Sequence, residues 1–160
     1  MMKPESLRAH LVGRVPDLKH NPDRLMVFID NGTMRSTAAP GLSFEYTYTL
    51  NLIFTDFGGH PDTIAIALFD WLRVNQRELM ENLDRVEDSV RFEADILDNS
   101  KVDLSIRLPL TERVIVNALD DGSLQVNHPP EPSFDEPAIP SPVTVIRSST
   151  GDVLATWTAP

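Results

Sequence analysis

The stretch Leu42-Ser43-Phe44-Glu45-Tyr46-Thr47-Tyr48-Thr49-Leu50-Asn51-Leu52-Ile53-Phe54-Thr55-Asp56 alternates apolar and polar side chains, with Ile53 as the one exception. Successive side chains of a strand point to opposite faces, so this alternation predicts a long β-strand with one buried face and one solvent-facing face. A register slip of one residue would move its large apolar groups into water, so the pairing is strongly fixed. The apolar positions are Leu42, Phe44, Tyr46, Tyr48, Leu50, Leu52 and Phe54. We expect the other elements to pair with this strand or to cover its buried face.

A short amphipathic helix and a short strand are predicted before this stretch. Leu7, Leu11 and Val15 recur every four residues, as on one face of a helix, and Pro16 ends or kinks that helix. Residues 25–29 are apolar and predict a compact strand, which the turn sequence Asp-Asn-Gly at 30–32 closes.

A second amphipathic helix is predicted after the long strand, over residues 63–75. Its apolar residues fall within one arc of the helix and predict a face that packs on the sheet. Ile66 lies outside this arc, beside Asp70 and Arg73, so it is either a tolerated exposed residue or a contact with another chain. The apolar arc consists of Ile64, Ala65, Leu68, Phe69, Trp71 and Leu72.

Two more half-buried strands are predicted in the second half of the chain. Residues 90–96 and 102–110 alternate apolar and polar side chains, and Asp-Asn-Ser-Lys at 98–101 is typical of a hairpin turn. Pro109 cannot donate a hydrogen bond to a neighbouring strand, which indicates a sheet edge or a bulge there. The charged residues 77–88 fit either one more helical turn or a loop.

The last part of the chain is rich in proline. Six of the 13 prolines fall within residues 128–142, which predicts an extended, semi-rigid linker. Residues 143–146 and 153–157 then predict a small hairpin, which must dock on another surface because two strands cannot form a stable core alone. We divide the chain into an α+β domain (1–127), a Pro-rich linker (128–142) and a C-terminal hairpin arm (143–160). The α+β domain is expected to contain an antiparallel sheet of about four strands packed with two helices.

The composition argues against several classes of function. The net charge of −10 disfavours binding to nucleic acid and to anionic membranes. The absence of cysteine rules out disulfides and thiolate metal sites, and the lack of a long apolar run predicts a soluble protein made in a cytoplasm. No nucleophile elbow or phosphate loop is present, and the histidines lack the spacing of a metal site. They are His10, His20, His60 and His128. We therefore predict that the protein is not an enzyme and uses no cofactor or metal.

Several segments, in order along the chain, resemble a known family. They are Lys3-Pro4-Glu5-Ser6-Leu7-Arg8, Asn21-Pro22-Asp23-Arg24-Leu25, Ile29-Asp30-Asn31-Gly32, Leu42-Ser43-Phe44-Glu45-Tyr46, Tyr48-Thr49-Leu50-Asn51, Thr55-Asp56-Phe57, Trp71-Leu72-Arg73, Asn75-Gln76, Ala94-Asp95-Ile96 and Leu110-Thr111-Glu112-Arg113. This series resembles the tail completion protein R family of P2-like phages, whose tails are contractile. The resemblance covers residues 3–126 and rests on the ordered series rather than on one chemical signature.

The resemblance implies a structural protein of phage or prophage morphogenesis. Such a tail terminator caps the head-proximal end of the contractile tail, ends growth of the tube and sheath, and prepares head-tail joining. The alternative is a tail assembly adaptor or chaperone that is absent from the virion.

The resemblance also implies partners and a location. Tail terminators are typically six-fold rings, so self-association is expected, with a monomer in isolation left open. The other implied partners are the tail tube and sheath proteins and a head-completion or connector protein, with no sequence-specific nucleic acid binding and no membrane. The implied location is the virion tail, assembled in the bacterial host cytoplasm. Candidate subunit or partner contacts are Ile66, Val143, Val145, Val153 and Trp157.

Overall fold

Five strands form one antiparallel sheet, the larger of the two sheets in the described residues. The structure is a computed structural model, and it describes residues 1–36, 41–81, 90–97, 101–131 and 143–158. The strands are β1 (Leu25–Ser36), β2 (Phe44–Phe57), β3 (Arg91–Ile96), β4 (Val102–Ala118) and β5 (Leu124–Asn127). Their order across the sheet is β1-β2-β4-β3, and β5 pairs with the far end of β4.

Two main helices cover one face of this sheet, which we call the inner face. Within the described residues the α-helices are α1 (Lys3–Arg14), α2 (Pro16–His20), α3 (Pro61–Asn75) and α4 (Glu78–Glu81). α1 and α3 contact each other, and Leu11 and Leu68 pack with Leu50 of β2 in one buried cluster. The predicted α+β class with an antiparallel sheet is confirmed, and β5 and α2 add to the expected elements. Of the two alternatives for residues 77–88, the structure has a helical turn at Glu78–Glu81, and residues 82–88 lie outside the described part.

The long strand β2 confirms most of the predicted face. Its even-numbered residues from 48 to 54 are buried on the inner face. Leu42, in contrast, lies before the strand and is exposed, because the pairing of β2 with β1 ends at Phe44. Asn51 on the other face is buried as well, and its side-chain N–H donates to Asp30 Oδ2 at 3.0 Å. Burial of that polar group is therefore matched by a hydrogen bond.

The strand β1 is longer than predicted. The turn sequence at 30–32 was expected to end it, but pairing with β2 resumes at Thr33 after a register shift. Asn31 adopts a left-handed φ of 52°, which asparagine tolerates better than most residues. The Asp-Asn-Gly sequence thus forms a β-bulge within a continuous strand instead of a turn at its end.

The prediction that residues 90–96 are half-buried is wrong for the strand itself. Every residue of β3 is exposed, including Phe92 at 71% and Ile96 at 83%. These residues are exposed because β3 lies at the edge of the sheet, beyond the strands that α1 and α3 cover. Phe69, which was expected to be buried with the rest of its helical stripe, is exposed beside the same edge.

Both prolines singled out from the sequence act as expected. α1 ends at Arg14, Val15 is extended, and α2 begins at Pro16, so the helix is interrupted there. Pro109 pairs with Thr49 of β2, whereas the pairing between β3 and β4 ends at Arg107. Within the described residues, Pro109 therefore lies where β4 has a strand on one side only, which confirms the predicted edge.

The C-terminal residues form the expected hairpin of β6 (Val143–Arg147) and β7 (Val153–Thr158). Ile146 and Ala155 are buried, and β7 contacts α1 of the same chain. The predicted turn at 98–101 and the predicted linker at 128–142 lie outside the described residues, except for residue 101 and residues 128–131.

Candidate interaction surfaces

A buried carboxylate joins the first helix to the sheet. Glu112 lies on the inner face of β4 with its side chain 4% exposed. Its carboxylate accepts hydrogen bonds from the backbone N–H groups of Met2 (2.7 Å) and Lys3 (3.2 Å) and from the hydroxyl of Tyr48. The first N–H groups of a helix have no partner within the helix, so Glu112 caps α1 and places a negative charge at the positive end of its dipole.

The same contact sets the ionisation of Tyr48. Burial, followed by the hydrogen bond to Glu112 and the negative charge of Glu112, raises the pKa of the Tyr48 hydroxyl far above its usual range. Tyr48 therefore stays protonated and donates to the carboxylate. The pair works as a fixed structural contact, not as an acid or base near neutral pH.

Gln76 extends this polar cluster to the end of α3. It is buried, and its side-chain oxygen accepts from Lys3 Nζ (2.7 Å) and from the backbone N–H of Thr111 (3.2 Å). Its amide N–H donates to Thr111 Oγ1 at 3.0 Å. The start of α1, the end of α3 and the middle of β4 are thus held together by one hydrogen-bonded network.

The start of the Pro-rich segment lies against this cluster. Lys3 Nζ contacts Glu131 at 2.8 Å, and His128 Nδ1 lies 3.9 Å from Glu112. Pro129 and Pro130 line a small cavity of about 210 Å³ between these pairs. These contacts hold residues 128–131 against the start of α1 and against Glu112 of β4.

A second polar contact lies between α1 and α3. Asp70 Oδ2 is 3.3 Å from His10 Nε2 and 3.5 Å from an Arg14 nitrogen. Burial, and then the positive charge of Arg14, lower the pKa of His10, against a smaller opposing effect of Asp70 and the Ala67 backbone. The histidine is therefore mainly neutral at neutral pH and helps to join the helices.

An apolar groove lies on the inner face of the sheet at the β3 edge. Its volume is about 860 Å³, with β3 and β4 as its floor and the start of α3 as its wall. Apolar groups dominate the lining, which includes Phe57, Ala65, Phe69, Phe92, Ile96 and Val102. Among the described residues that line it, Lys101, His60 and Asp62 are the charged or titratable ones. We refer to this surface as the edge groove.

An exposed apolar surface lies at the other end of β4. Pairing with β2 ends at Val114, and the following residues of β4 form a hairpin with β5. On one face of this hairpin Val116 pairs with Val126, and Ala118 pairs with Leu124. Leu124 and Val126 are each 55% exposed. We call this face the hairpin ridge.

The structure distributes the predicted contact residues over two parts of the chain. Ile66 is exposed on α3, and Val145 and Val153 are exposed on the C-terminal hairpin. Val143 and Trp157 lie in β6 and β7, but their side chains are outside what the structure describes. The prediction that these residues contact other molecules stays a prediction.

Sequence reasoning missed the cluster around Glu112, although a signal was present. The inner-face positions of β4 at 104, 106, 108, 110 and 114 are apolar, and Glu112 alone interrupts them. A carboxylate on a buried face needs hydrogen-bond partners. Those partners come from residues far away in sequence, so only the fold shows which they are.

Within the described residues, no group of His, Cys, Asp and Glu side chains could hold a metal ion, and no helix is long and apolar enough to cross a membrane. The buried carboxylate, amide and tyrosine hydroxyl are engaged in contacts within the chain. The edge groove and the hairpin ridge are, by contrast, open apolar surfaces. Exposed apolar surfaces of this kind are typical of contacts with other macromolecules.

Comparison with known proteins identifies the class more closely. The chain belongs to the family described as P2 phage tail completion protein R (GpR), whose profile matches residues 1–132. The chain is 45% identical to "Tail completion protein R" of Escherichia phage P2 over 144 residues, which span 90% of this chain and 89% of the relative. No solved structure gives a significant match. The resemblance drawn from the sequence is confirmed, and the chain has the role of a phage tail completion protein and tail component.

Proposed function

We propose that the protein caps the head-proximal end of a contractile phage tail, where it ends growth of the tube and sheath and prepares the tail to join the head. Membership of the tail completion protein R family, over most of the chain, carries this proposal. The open apolar surfaces support it, because a structural cap must bind neighbours on several sides. The proposed partners are further copies of itself, the tube and sheath proteins, and a head-completion protein.

We also propose that the capping form is a six-fold ring. A closed ring needs a head-to-tail interface in which two different patches of one subunit meet. Ile66 on α3 and the exposed valines of the C-terminal hairpin are candidate contacts in this assembly, either with a neighbouring copy or with another tail protein. The tail end serves as the template on which copies that are separate in solution come together.

Electron microscopy of particles made without the gene tests this function. If the protein ends tail growth, its loss gives overlong tails or tails without heads, and a plasmid copy of the wild-type gene restores normal particles. Complete absence of tails would instead place its action at an earlier step and contradict the proposal.

Mass spectrometry of purified particles then distinguishes a cap from an assembly factor. A cap remains in the mature particle in a fixed ratio to the tube protein. A protein that is required for assembly but absent from particles would be an adaptor or chaperone, which would contradict the proposed capping role.

A further inference from the structure

We propose that the C-terminal hairpin is exchanged between copies in the assembled tail, so that the hairpin of one copy lies on α1 of the next. This inference rests on the proposed ring and names a contact that would link its copies. The surface and its occupant are ones that the structure already shows together, because β7 contacts α1 within the chain. Exchange of an identical element between copies needs no new type of contact and is a low-cost route to assembly.

The C-terminal hairpin has one covered face and one open face. Ile146 of β6 pairs with Ala155 of β7, and both side chains are buried. Val145 and Thr156, which pair on the opposite face, are exposed. Two strands alone have no second layer over either face, so burial on one face requires another element. Since β7 contacts α1, the covered face lies against this helix.

The hairpin is a unit that can change its position without losing its own pairing. β6 and β7 pair with each other, and a backbone hydrogen bond of 2.8 Å from the Ser148 N–H to the Asp152 carbonyl closes the turn between them. Its buried residues form a cluster that is separate from the main core. Movement from one α1 to another therefore exchanges one surface contact and leaves the sheet domain intact.

The position where the arm begins is fixed close to α1 of the same copy. Glu131 contacts Lys3, the first residue of α1, and β6 begins at Val143. The twelve residue steps from Glu131 to Val143 span up to roughly 40 Å when extended. α1 has 12 residues and is thus only about 18 Å long. The reach of this segment therefore exceeds what docking on the helix of the same copy requires.

The reach is sufficient for a neighbouring copy. A compact domain of residues 1–131 has a radius of gyration of about 14 Å, which corresponds to a diameter of roughly 35 Å. Equivalent points on two adjacent copies are separated by about that diameter. A segment that extends to roughly 40 Å can consequently place its hairpin on α1 of the next copy.

Exchange also agrees with copies that are separate in solution and joined on the tail. In a free copy, its own α1 is the nearest docking site for the tethered hairpin. When the tail end holds copies side by side, the effective concentration of the hairpin at the next α1 becomes high as well. Each copy then donates one hairpin and accepts one, which is a head-to-tail contact that leaves no α1 unoccupied in a closed ring.

The first experiment detects a contact between copies with cysteines, since the chain has none. A phage that lacks the gene is complemented with Ala9→Cys on α1 and Thr156→Cys on β7 in separate chains, both at exposed positions. A short, flexible bismaleimide applied to purified tails should give a covalent dimer with one chain of each variant. The matched control uses Glu93→Cys, on the other face of the sheet, in place of Ala9→Cys and should give no such dimer.

The same two substitutions in one chain show when the exchange occurs. In the free protein, the reagent should link the hairpin of Ala9→Cys/Thr156→Cys to α1 of the same chain and leave a monomer. In purified tails, it should join successive copies into a ladder. Thermal melting of each purified variant checks that it folds.

The second experiment shortens the reach of the arm. Deletion of residues 134–139 leaves six residue steps between Glu131 and Val143, a span of at most roughly 20 Å. That span suffices for α1 of the same copy but not for the next, so Tm should not change while the yield of infectious particles falls by about tenfold or more. Replacement of residues 134–139 by the same number of glycines and serines keeps the length and should keep the yield.

Each outcome supports or overturns hairpin exchange. Mixed dimers in tails, together with loss of particles for the shortened arm, support it. It is overturned if tails that contain the protein give no mixed dimer, give as much dimer with the control, show links within one chain only, or link the hairpin to a different tail protein. A shortened arm that completes tails normally would overturn it as well. These results leave the capping function intact, whereas absence of the wild-type protein from tails would overturn both proposals.

Discussion

At the scale of single residues, Glu112 links more parts of the chain than any other residue described above. It caps α1, accepts from Tyr48 on β2 and lies beside His128 at the start of the arm. A carboxylate can accept all of these hydrogen bonds at once, whereas an amide presents donors as well as an acceptor. The charge of Glu112 therefore determines how the N-terminus and the arm are placed on the sheet.

The first prediction is that Glu112→Gln lowers the free energy of unfolding by about 1–3 kcal/mol. The glutamine N–H₂ would face the N–H donors of α1, and the favourable charge at the helix N-terminus would be lost. Urea denaturation measures the change, with Glu45→Gln on the exposed face of β2 as the control, expected within about 0.5 kcal/mol of the wild type. A similar, small effect of both substitutions would show that Glu112 has no special role.

The second prediction concerns the faces of β2. Leu50 is fully buried, and Leu50→Ala should cost roughly 2–5 kcal/mol through lost burial and the cavity that remains. Thr49 is half-buried on the opposite face, so Thr49→Ala should lower the free energy of unfolding by well under half as much. Chemical denaturation of the two variants checks the assignment, and equal losses would contradict it.

The third prediction concerns His10 and pH. Its pKa is lowered in the folded state, first by burial and then by Arg14, so the unfolded chain binds a proton more readily. This contribution to stability is complete above the ordinary histidine pKa of 6.5 and is lost as the pH falls below that value. The free energy of unfolding should therefore fall less for His10→Gln than for the wild type between about pH 7.5 and about pH 5.5. Equal decreases would show that His10 is not the group responsible.

At the scale of elements, the sequence predicted strands and helices better than it predicted which of their faces are buried. The alternation of β2 and the apolar arc of α3 are local properties, and the structure confirms both elements. The alternation of residues 90–96 looked equally strong, yet β3 is exposed, because burial depends on whether a helix lies above it. The Asp-Asn-Gly bulge in β1 and the partners of Glu112 also depend on distant residues, so a local pattern could not specify them.

The open stretch of β4 between β3 and β5 is protected against pairing with another strand. The N–H of Val116 points to the β2 side, where it donates to Ser43, and alternate residues point the other way. On that other side Thr111 donates to the Gln76 side chain, and Pro109 has no N–H to offer. The open stretch of β4 between β3 and β5 is thus poorly suited to strand addition, which limits unwanted pairing.

The fourth prediction concerns the C-terminal arm. Truncation after Glu131 removes the hairpin but keeps the contacts of Glu131 with Lys3 and of His128 with Glu112. Among the described side chains of the hairpin, only Ile146 and Ala155 are buried, so we expect residues 1–131 to stay folded with little change in Tm. Thermal melting and complementation of a phage that lacks the gene test this, and we expect the truncated protein to fail in complementation.

A second truncation, after Asn127, serves as the comparison because it also removes His128 and Glu131. It should melt at a lower temperature than the longer variant if the contacts at Lys3 and Glu112 stabilise the domain. Unfolding of the longer variant would show that the hairpin belongs to the folded core, and full complementation by it would contradict a role for the arm in tail completion.

At the scale of the whole molecule, the described surfaces suit an assembly that repeats one contact. The edge groove and the hairpin ridge lie at opposite ends of β4, and the C-terminal hairpin contacts α1, on the covered face of the sheet. Separate surfaces allow a subunit to bind a neighbour on each side and still contact other tail proteins. The family relationship identifies the chain as a phage tail completion protein.

The most direct test of this account is a reconstruction of the head-proximal end of the purified tail by electron cryomicroscopy, without imposed symmetry. The account predicts a single ring of six copies on the last layer of the tube, as the fifth prediction. A ring of another order, density for this protein elsewhere along the tail, or a tail end without it would contradict the proposed cap.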